Sequence, residues 1–278
     1  MLSIIIPAHN EEAWIGGCLR ALTDQSSEAP DWVEIVIAAN ACSDATIDVI
    51  EGHRGDIQRR GWTLHVLSIT KPGKPNALNA ADAVASGKMR LYLDADVVCE
   101  ADMLEKLHAA LDRPDPAYAG GHLVVAPTRN WVTHYYGRLW SRLPFASASG
   151  TTGAGLFAVN ASGRARWGMF PEIISDDTFV RLQFHPTERI AVSSSYYWPM
   201  VEGISALVRV RRRQNAGIAE LQALHPRLFK NEGKPRVTWS DHVRLCLEMP
   251  FSYIVYVAIS TIVRATRAYG GETWARGR

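Results

Sequence analysis

Two aspartates at a spacing of two, Asp94 and Asp96, close the run Met89-Arg90-Leu91-Tyr92-Leu93 and are the residues best placed for chemistry. The apolar stretch before them has strand character, and on an extended chain residues two apart share a face. Adjacent carboxylates repel one another. A divalent cation relieves that repulsion, and hard oxygen donors suit Mg²⁺ or Mn²⁺, ions that bind substrate phosphates at the same time. Alone, an Asp-x-Asp reads more readily as a solvated loop after a strand. A second acidic pair, Asp176 and Asp177, follows Ile173-Ile174-Ser175. It reads as a helix start capped by Ser175 or Asp176, and a carboxylate there is also well placed as a general base. The densest basic run is Arg209-Val210-Arg211-Arg212-Arg213. It is either a solvated helix face or a set of guanidinium groups that clamp a departing diphosphate.

The surrounding elements give these residues a common address. Leu2–Pro7, Trp32–Ala38, Leu64–Ile69 and Met89–Val98 read as strands. Between them lie three helical stretches, from Asn10 as N-cap to about Leu22, from about Ala45, and from Asn76 to about Ala85. Strand and helix alternating with short links predict a doubly wound, mainly parallel sheet with helices on both faces. In such sheets ligands bind at the carboxyl ends of the strands. His9, Asn40, Lys74, Asp94 and Asp96 all fall at such ends. Further along, Met103–Leu111 and Trp131–Trp140 read as helices, the second with an aromatic face that suits a sugar or lipid site or ordinary packing. Ala119–Val125, Leu156–Val159 and Arg189–Ser193 read as strands. Gly153 and Gly155 permit either close backbone approach to a ligand or a bulge.

Composition narrows the function classes. The chain has 278 residues, 47% hydrophobic and 21% charged, as expected of a globular protein. Residues 1–199 carry 17 Lys/Arg against 22 Asp/Glu, whereas residues 200–278 carry 13 against 6. A basic tail on an acidic body suits an anionic lipid surface or a polyphosphate better than DNA, so no nucleic-acid partner is expected. Cys18, Cys42, Cys99 and Cys246 form no CxxC, which points to a reducing compartment and no zinc site. The sequence opens directly on a strand, without a basic apolar leader, so a cytoplasmic protein is expected. There is no GxGxxG after the first strand and no GxxxxGK[ST], which argues against a dinucleotide dehydrogenase and a P-loop NTPase. The apolar stretch Leu245–Val263 is uninterrupted only over its last 14 residues, from Pro250. That is short of the roughly 20 a spanning helix needs. A helix packed on the domain, or lying on the inner membrane face with Arg264, Arg267, Arg276 and Arg278 as anchors, fits better.

Taken in order, these stretches resemble the family 2 glycosyltransferases of GT-A fold, over about residues 1–217. Ile6-Pro7-Ala8-His9-Asn10-Glu11-Glu12 looks like the family's first-strand motif, and Gly73-Lys74 with Ala77-Leu78-Asn79 like its Gly-Lys…Ala-Leu-Asn element. Leu93-Asp94-Ala95-Asp96 matches its metal motif, and Ser175-Asp176-Asp177 stands where the family has an acidic pair with the base. Val210–Gln214 is similar to the Gln-x-x-Arg-Trp motif of processive members. The resemblance implies a catalytic domain over 1–200, a basic helical region over 201–278, and inverting transfer from a nucleotide-diphosphate sugar, UDP first among the nucleotides, to a saccharide or lipid-linked acceptor. Asp96 and Asp94 would hold Mn²⁺ or Mg²⁺. Pro7, His9, Glu11, Asn40, Lys74 and Asp94 would line the nucleotide pocket. Asp177 would be the base, with Asp176 beside it raising its pKa, and Arg212 and Arg213 would gate the diphosphate.

Three departures qualify this. Ala39 and Asn40 replace the usual two acids after the second strand, so the base need not be uracil. Gln214 stands where the arginine motif has Trp, and Val210 where it has Gln, which argues against a processive synthase. Two rivals stay open. A nucleotidyltransferase uses a similar sheet and metal site, but its first turn is Gly-rich and basic, whereas Ala8–Glu12 is acidic and glycine-free. A degenerate transferase scaffold would bind nucleotide without turnover.

Overall fold

The structure is a computed structural model that describes residues 1–26, 32–147 and 151–266. Its centre is one sheet. The continuous apolar runs become β1 (Leu2–Ala8), β2 (Val33–Asn40), β3 (Thr63–Ile69) and β4 (Met89–Leu93), all parallel, in the order β3-β2-β1-β4. Such runs form when both faces of a strand are covered, and alternation sends neighbours to opposite sides. Leu2, Ile4 and Ile6 enter one core cluster and Ile5 enters the other.

Beyond β4 the sheet continues through β5 (Val98–Cys99), β6 (Tyr118–Val125), β7 (Leu156–Val159) and β8 (Arg189–Trp198), giving the order β3-β2-β1-β4-β7-β6-β8-β5. Strand β7 runs antiparallel between β4 and β6, so the sheet is mixed but mainly parallel. The reversal places residues 151–155, which enter β7, beside Asp94 at the exit of β4, where Asp94 N donates to Gly155 O (2.9 Å).

Helices α1 (Ile15–Thr23), α2 (Thr46–Gly52) and α3 (Arg54–Arg59) cover one face, and α4 (Lys74–Val84) covers the other. Helix α5 (Met103–Leu111) packs on the first face. There follow α6 (Trp131–Trp140), α7 (Pro144–Ser147), α8 (Ala161–Arg164), α9 (Asp176–Arg181) and α10 (Ile204–Leu224). Helix α10 contributes Leu221 to the sheet core and Leu207 and Val208 to a third cluster. That third cluster joins α6 to α11 (Trp239–Glu248) and α12 (Pro250–Ala265). No helix among the described residues is long and apolar enough to cross a membrane. The expected anchors Arg267, Arg276 and Arg278 lie outside the described residues.

The first helix begins later than the sequence predicts. Asn10 is not its N-cap; α1 starts at Ile15 behind Trp14. Asn10 adopts φ +52°, outside the extended conformation of a cap, and its Oδ1 accepts from Ser43 N (2.7 Å). The Glu12 side chain serves α2, with Ala45 N donating to Glu12 Oε2 (2.9 Å).

Candidate active site

The carboxyl ends of β1 and β4 meet at one cavity of about 290 Å³. Pro7, His9, Glu11, Lys74, Asp94, Asp96, Asp176, Asp177 and Arg213 all lie on its wall. The loops after β1 and β2 are laced together. His9 Nδ1 pairs with Asn40 O (2.7 Å), Glu11 N donates to Thr46 Oγ1 (2.6 Å), and Glu12 N donates to Asp44 Oδ2 (3.2 Å). This lacing holds the floor of the cavity without help from a glycine loop.

Asn40 stands behind the wall, not on it. The side chain is fully buried; it donates to Lys71 O (2.7 Å) and accepts from Gly73 N (2.8 Å). Both ends of the amide are thus committed to the loop entering α4. Gly73 there has φ +136°, which a side chain rarely tolerates. The residue expected in the nucleotide pocket instead shapes the loop that aims Lys74.

Lys74, the first residue of α4, reaches into the acidic cluster. Its Nζ lies 3.0 Å from Asp94 Oδ1 and 3.2 Å from Asp176 Oδ2. Burial disfavours the ammonium, but Asp176, Asp94 and Asp177 outweigh it, and the pKa stands above the ordinary lysine value. Asp176 is 5% exposed. Burial pushes its carboxyl up to about 6, Lys74 pulling the other way and Asp177 and Asp94 adding to the rise.

Asp176 opens α9 behind Ser175, which occupies the N-cap position without a side-chain capping bond. Asp177 is half-buried, and its Oδ1 accepts from Thr178 N (2.6 Å). The two neighbours thus divide. Asp176 is tied to Lys74, whereas Asp177 forms no ion pair among the described residues. Gly153, at φ +80°, passes beside them, and a Cβ there would come within 2.5 Å of the Tyr118 hydroxyl.

The basic run is helical, as its sequence suggests, on α10. Arg211 and Arg213 reach the cavity wall, but Arg212 does not. Successive helical residues are about 100° apart, so three consecutive arginines cannot all face one pocket.

Of the cavity's other half, the sequence offers only the aromatic face of α6. Tyr136 and Trp140 of α6, Trp198 at the end of β8, and Met200, Val201 and Leu207 form an aromatic and apolar wall. The rings of Trp140 and Trp198 lie 6.1 Å apart. Trp198 packs edge-on to Gly155, where a Cβ would fall 2.8 Å from the indole. The signal was present: β8 continues from Ser193 through Ser194-Ser195-Tyr196-Tyr197-Trp198 before Pro199 stops it, five residues beyond the predicted end.

The donor set is consistent with a shared hard cation. Asp94 and Asp96 leave β4 together, and no group of three or more His, Cys, Asp or Glu side chains able to cage a metal occurs among the described residues. Carboxylate oxygens are hard donors, the type that Mg²⁺ and Mn²⁺ prefer.

Comparison with known proteins follows the same lines. Residues 3–165 match the model of Glycosyl transferase family 2. The chain is 29% identical over 123 residues to a dolichyl-phosphate beta-glucosyltransferase of Drosophila melanogaster, covering 42% of this chain and 37% of that protein. It is 28% identical over 110 residues to the poly(ribitol-phosphate) beta-N-acetylglucosaminyltransferase TarS of Staphylococcus aureus, covering 40% and 18%. The chain thus spans well under half the length of these curated relatives. Among solved structures, the mannosyltransferase PcManGT from Pyrobaculum calidifontis, in complex with GDP-Man and Mn²⁺, superposes with a TM-score of 0.60 at 20% identity, over 95% of this chain and 75% of that one. TarS 1–349 in complex with UDP superposes with a TM-score of 0.52 at 18% identity, over 76% and 63%. These likenesses show the fold, a GT-A arrangement.

Proposed function

Because the chain belongs to glycosyl transferase family 2, we propose that it is an inverting glycosyltransferase that moves a sugar from a nucleoside-diphosphate sugar to an acceptor hydroxyl. The observation that carries this reading is the division of labour in the acidic cluster. Lys74 engages Asp94 and Asp176, and Asp177 faces the cavity outside those ion pairs.

The nucleotide belongs in the half lined by Pro7, His9, Glu11, Lys74 and Asp94, with UDP the first candidate and GDP the second. Asp94 and Asp96 would hold Mn²⁺ or Mg²⁺ between them and the diphosphate; such an ion supplies charge neutralisation for the leaving nucleotide. Arg213, joined by Arg211, stands on the same wall to take up the departing diphosphate's charge. As the acceptor oxygen bonds the anomeric carbon and the carbon–phosphate oxygen bond breaks on the opposite side, Asp177 takes the hydroxyl proton. The apolar half, with Trp140 and Trp198, receives the acceptor, whose ring or chain stacks there. Relatives that act on dolichyl phosphate and poly(ribitol phosphate) make a saccharide or lipid-linked acceptor the class to try first. Residues 1–200 would carry the catalytic domain and 201–278 an accessory helical region. The setting we infer is the cytoplasmic side of a membrane.

The test is thermal-shift binding of a nucleoside-diphosphate panel with and without Mn²⁺, followed by release of UDP or GDP from the matching nucleotide sugars. Metal-dependent stabilisation by one diphosphate, abolished in Asp96→Ala, is expected. Binding without turnover on any acceptor would leave a degenerate scaffold, and no shift with any diphosphate would sink the transferase reading.

A further inference from the structure

The C-terminal helix pair has an apolar face that the fold does not cover. On α12 one side is core: Ser252, Ile259 and Val263 are buried, and Tyr256 stacks on Tyr136 at 5.5 Å. The opposite side is apolar too. Phe251 is 71% and Ile254 65% exposed, and Val257 and Ile262 are also exposed. On α11 Leu245 is buried, whereas Trp239 is 82% and Leu247 77% exposed. A helix that faces water over half its surface ordinarily carries charges there; between Pro250 and Ala265 the only charged residue is Arg264. The patch is continuous with α6, where Tyr135 meets Phe251 at 6.4 Å and Trp131, one turn earlier, is exposed.

Charge selects the occupant. Residues 204–266 hold ten Lys/Arg against four Asp/Glu. At the edges of the patch stand exposed Arg138 and His134 on α6, Arg244 on α11 and Arg264 on α12. The acids nearby are Asp241, which is paired with Arg244 (3.1 Å) and caps α11 through Thr238, exposed Glu248, and exposed Glu202, which accepts from Thr128 Oγ1 (2.6 Å) ahead of α6. A second copy meeting this face across a two-fold axis would set arginine rim against arginine rim. An anionic bilayer matches it, with apolar residues in the acyl boundary, tryptophans at headgroup level and arginines on lipid phosphates. Sixteen residues make α12 about 24 Å long, too short to span a roughly 30 Å hydrocarbon core but suited to lying on it.

We propose that α11, α12 and the first turn of α6 form a docking face for an anionic lipid surface, which presents a lipid-borne acceptor to the apolar half of the cavity. Helix α6 joins the two. Its Trp131 and Tyr135 border the patch, and its Tyr136 and Trp140 line the cavity. The delivery of an acceptor rests on the transferase reading; the docking does not.

The experiment is co-sedimentation of the full chain with phosphatidylcholine vesicles, with and without phosphatidylglycerol, at low and high salt. The wild type should pellet with the anionic vesicles and be released by salt. The double variant Phe251→Glu/Ile254→Glu should lose at least ten-fold in bound fraction, with melting temperature and the UDP–Mn²⁺ thermal shift unchanged. Arg244→Glu/Arg264→Glu should remove the preference for phosphatidylglycerol. Wild-type protein that ignores both vesicles overturns the proposal. So does a wild-type dimer that Phe251→Glu converts to monomer without any vesicle binding. Vesicle binding with no nucleotide shift would sustain the docking face while removing the transferase reading beneath the delivery role.

Discussion

The same strands carry a polar cluster at each end, and the two are built on opposite principles. At the amino end Glu34, 5% exposed, accepts from Ser3 Oγ (2.5 Å), from Ser86 N and Oγ, and from Gly87 N (3.0 Å). Beside it Arg90 donates to Ser3 Oγ (3.0 Å) and Ala85 O (2.6 Å) and pairs with Asp82, which Arg164 and the Tyr92 hydroxyl also engage. Buried charge here is surrounded by donors. Burial alone would raise the Glu34 pKa, but the bonds from Ser3, Ser86 and Gly87 prevail and lower it. At the carboxyl end Lys74 serves Asp94 and Asp176 together, with Asp96, Asp177 and Glu11 on the same wall. There burial and crowding raise the pKa of Asp176. One end satisfies its charges within the fold; the other holds carboxylates close together, an arrangement that a cation and a diphosphate would complete. The amino end should therefore govern stability and the carboxyl end turnover.

Asp177→Asn is the sharpest break. Its Oδ1 can still accept from Thr178 N, so the melting temperature should stay within about 2 °C. Loss of a general base should lower kcat by about 10³-fold. A kcat within about ten-fold of wild type would remove Asp177 from the reaction and turn attention to Asp176. Next in size is Lys74→Met, which strands Asp94 and Asp176 without their cation. Breaking a largely buried pair from one side should cost about 3 kcal/mol in denaturant melts. Adding Asp176→Asn should recover a good part of that, a coupling of at least about 1 kcal/mol. Strict additivity would mean that Lys74 stabilises the site through other contacts.

Glu34→Gln tests the amino end. It should lose about 2 kcal/mol by leaving buried donors poorly matched while kcat stays unchanged. The pH signs of the two ends oppose each other. The Glu34 pKa is lowered by folding, so its contribution is present above the ordinary glutamate range and lost as pH falls through the folded value. The Asp176 pKa is raised to about 6, so its contribution is full below the ordinary aspartate range and lost as pH rises through 6. The melting-temperature difference between wild type and Glu34→Gln should thus grow with rising pH from about 3 to 5, and that between wild type and Asp176→Asn should shrink from about 4 to 6. Parallel curves would erase the contrast between the ends.

What could be seen in the sequence follows the same geography. Boundaries at Met103–Leu111, Trp131–Trp140 and Leu156–Val159 agree with the structure, each being a strongly patterned run beside a clear punctuator such as Asn130 or Asp112-Arg113-Pro114. The polar wall was legible because Pro7, His9, Asp94 and Asp96 lie at or just past the ends of β1 and β4, and a parallel sheet brings strand ends together whatever the loops do. Of the aromatic side, the face of α6 was legible and its partners were not. Tyr136, Trp198 and Leu207 come from α6, β8 and α10, and only packing makes them neighbours. The family resemblance names Arg212 and Arg213, whereas Arg211 and Arg213 reach the wall, because a motif match carries no helical phase. The antiparallel insertion of β7 left no trace in local pattern, since Leu156–Val159 would read alike in either direction.

Asn40 belongs to both ends of the comparison, and so gives the finest test of it. By position it is a strand-end residue of the nucleotide side; by contact it resembles Glu34, fully buried and satisfied within the fold. Asn40→Ala would free Gly73 N and Lys71 O and loosen the loop that aims Lys74. A stability loss of about 1 kcal/mol is expected, with Kd for the nucleoside diphosphate weakened about three- to ten-fold and kcat at saturation kept. Titration calorimetry beside saturation kinetics separates these quantities. If Asn40→Ala lowered kcat as steeply as Asp177→Asn, the amide would have to touch the reacting groups, and the wall described here would be drawn one residue too shallow. If it changed Tm alone, the loop's aim would be set by Gly73 and α4 without it, and the boundary between the two ends would fall at His9 and Lys74.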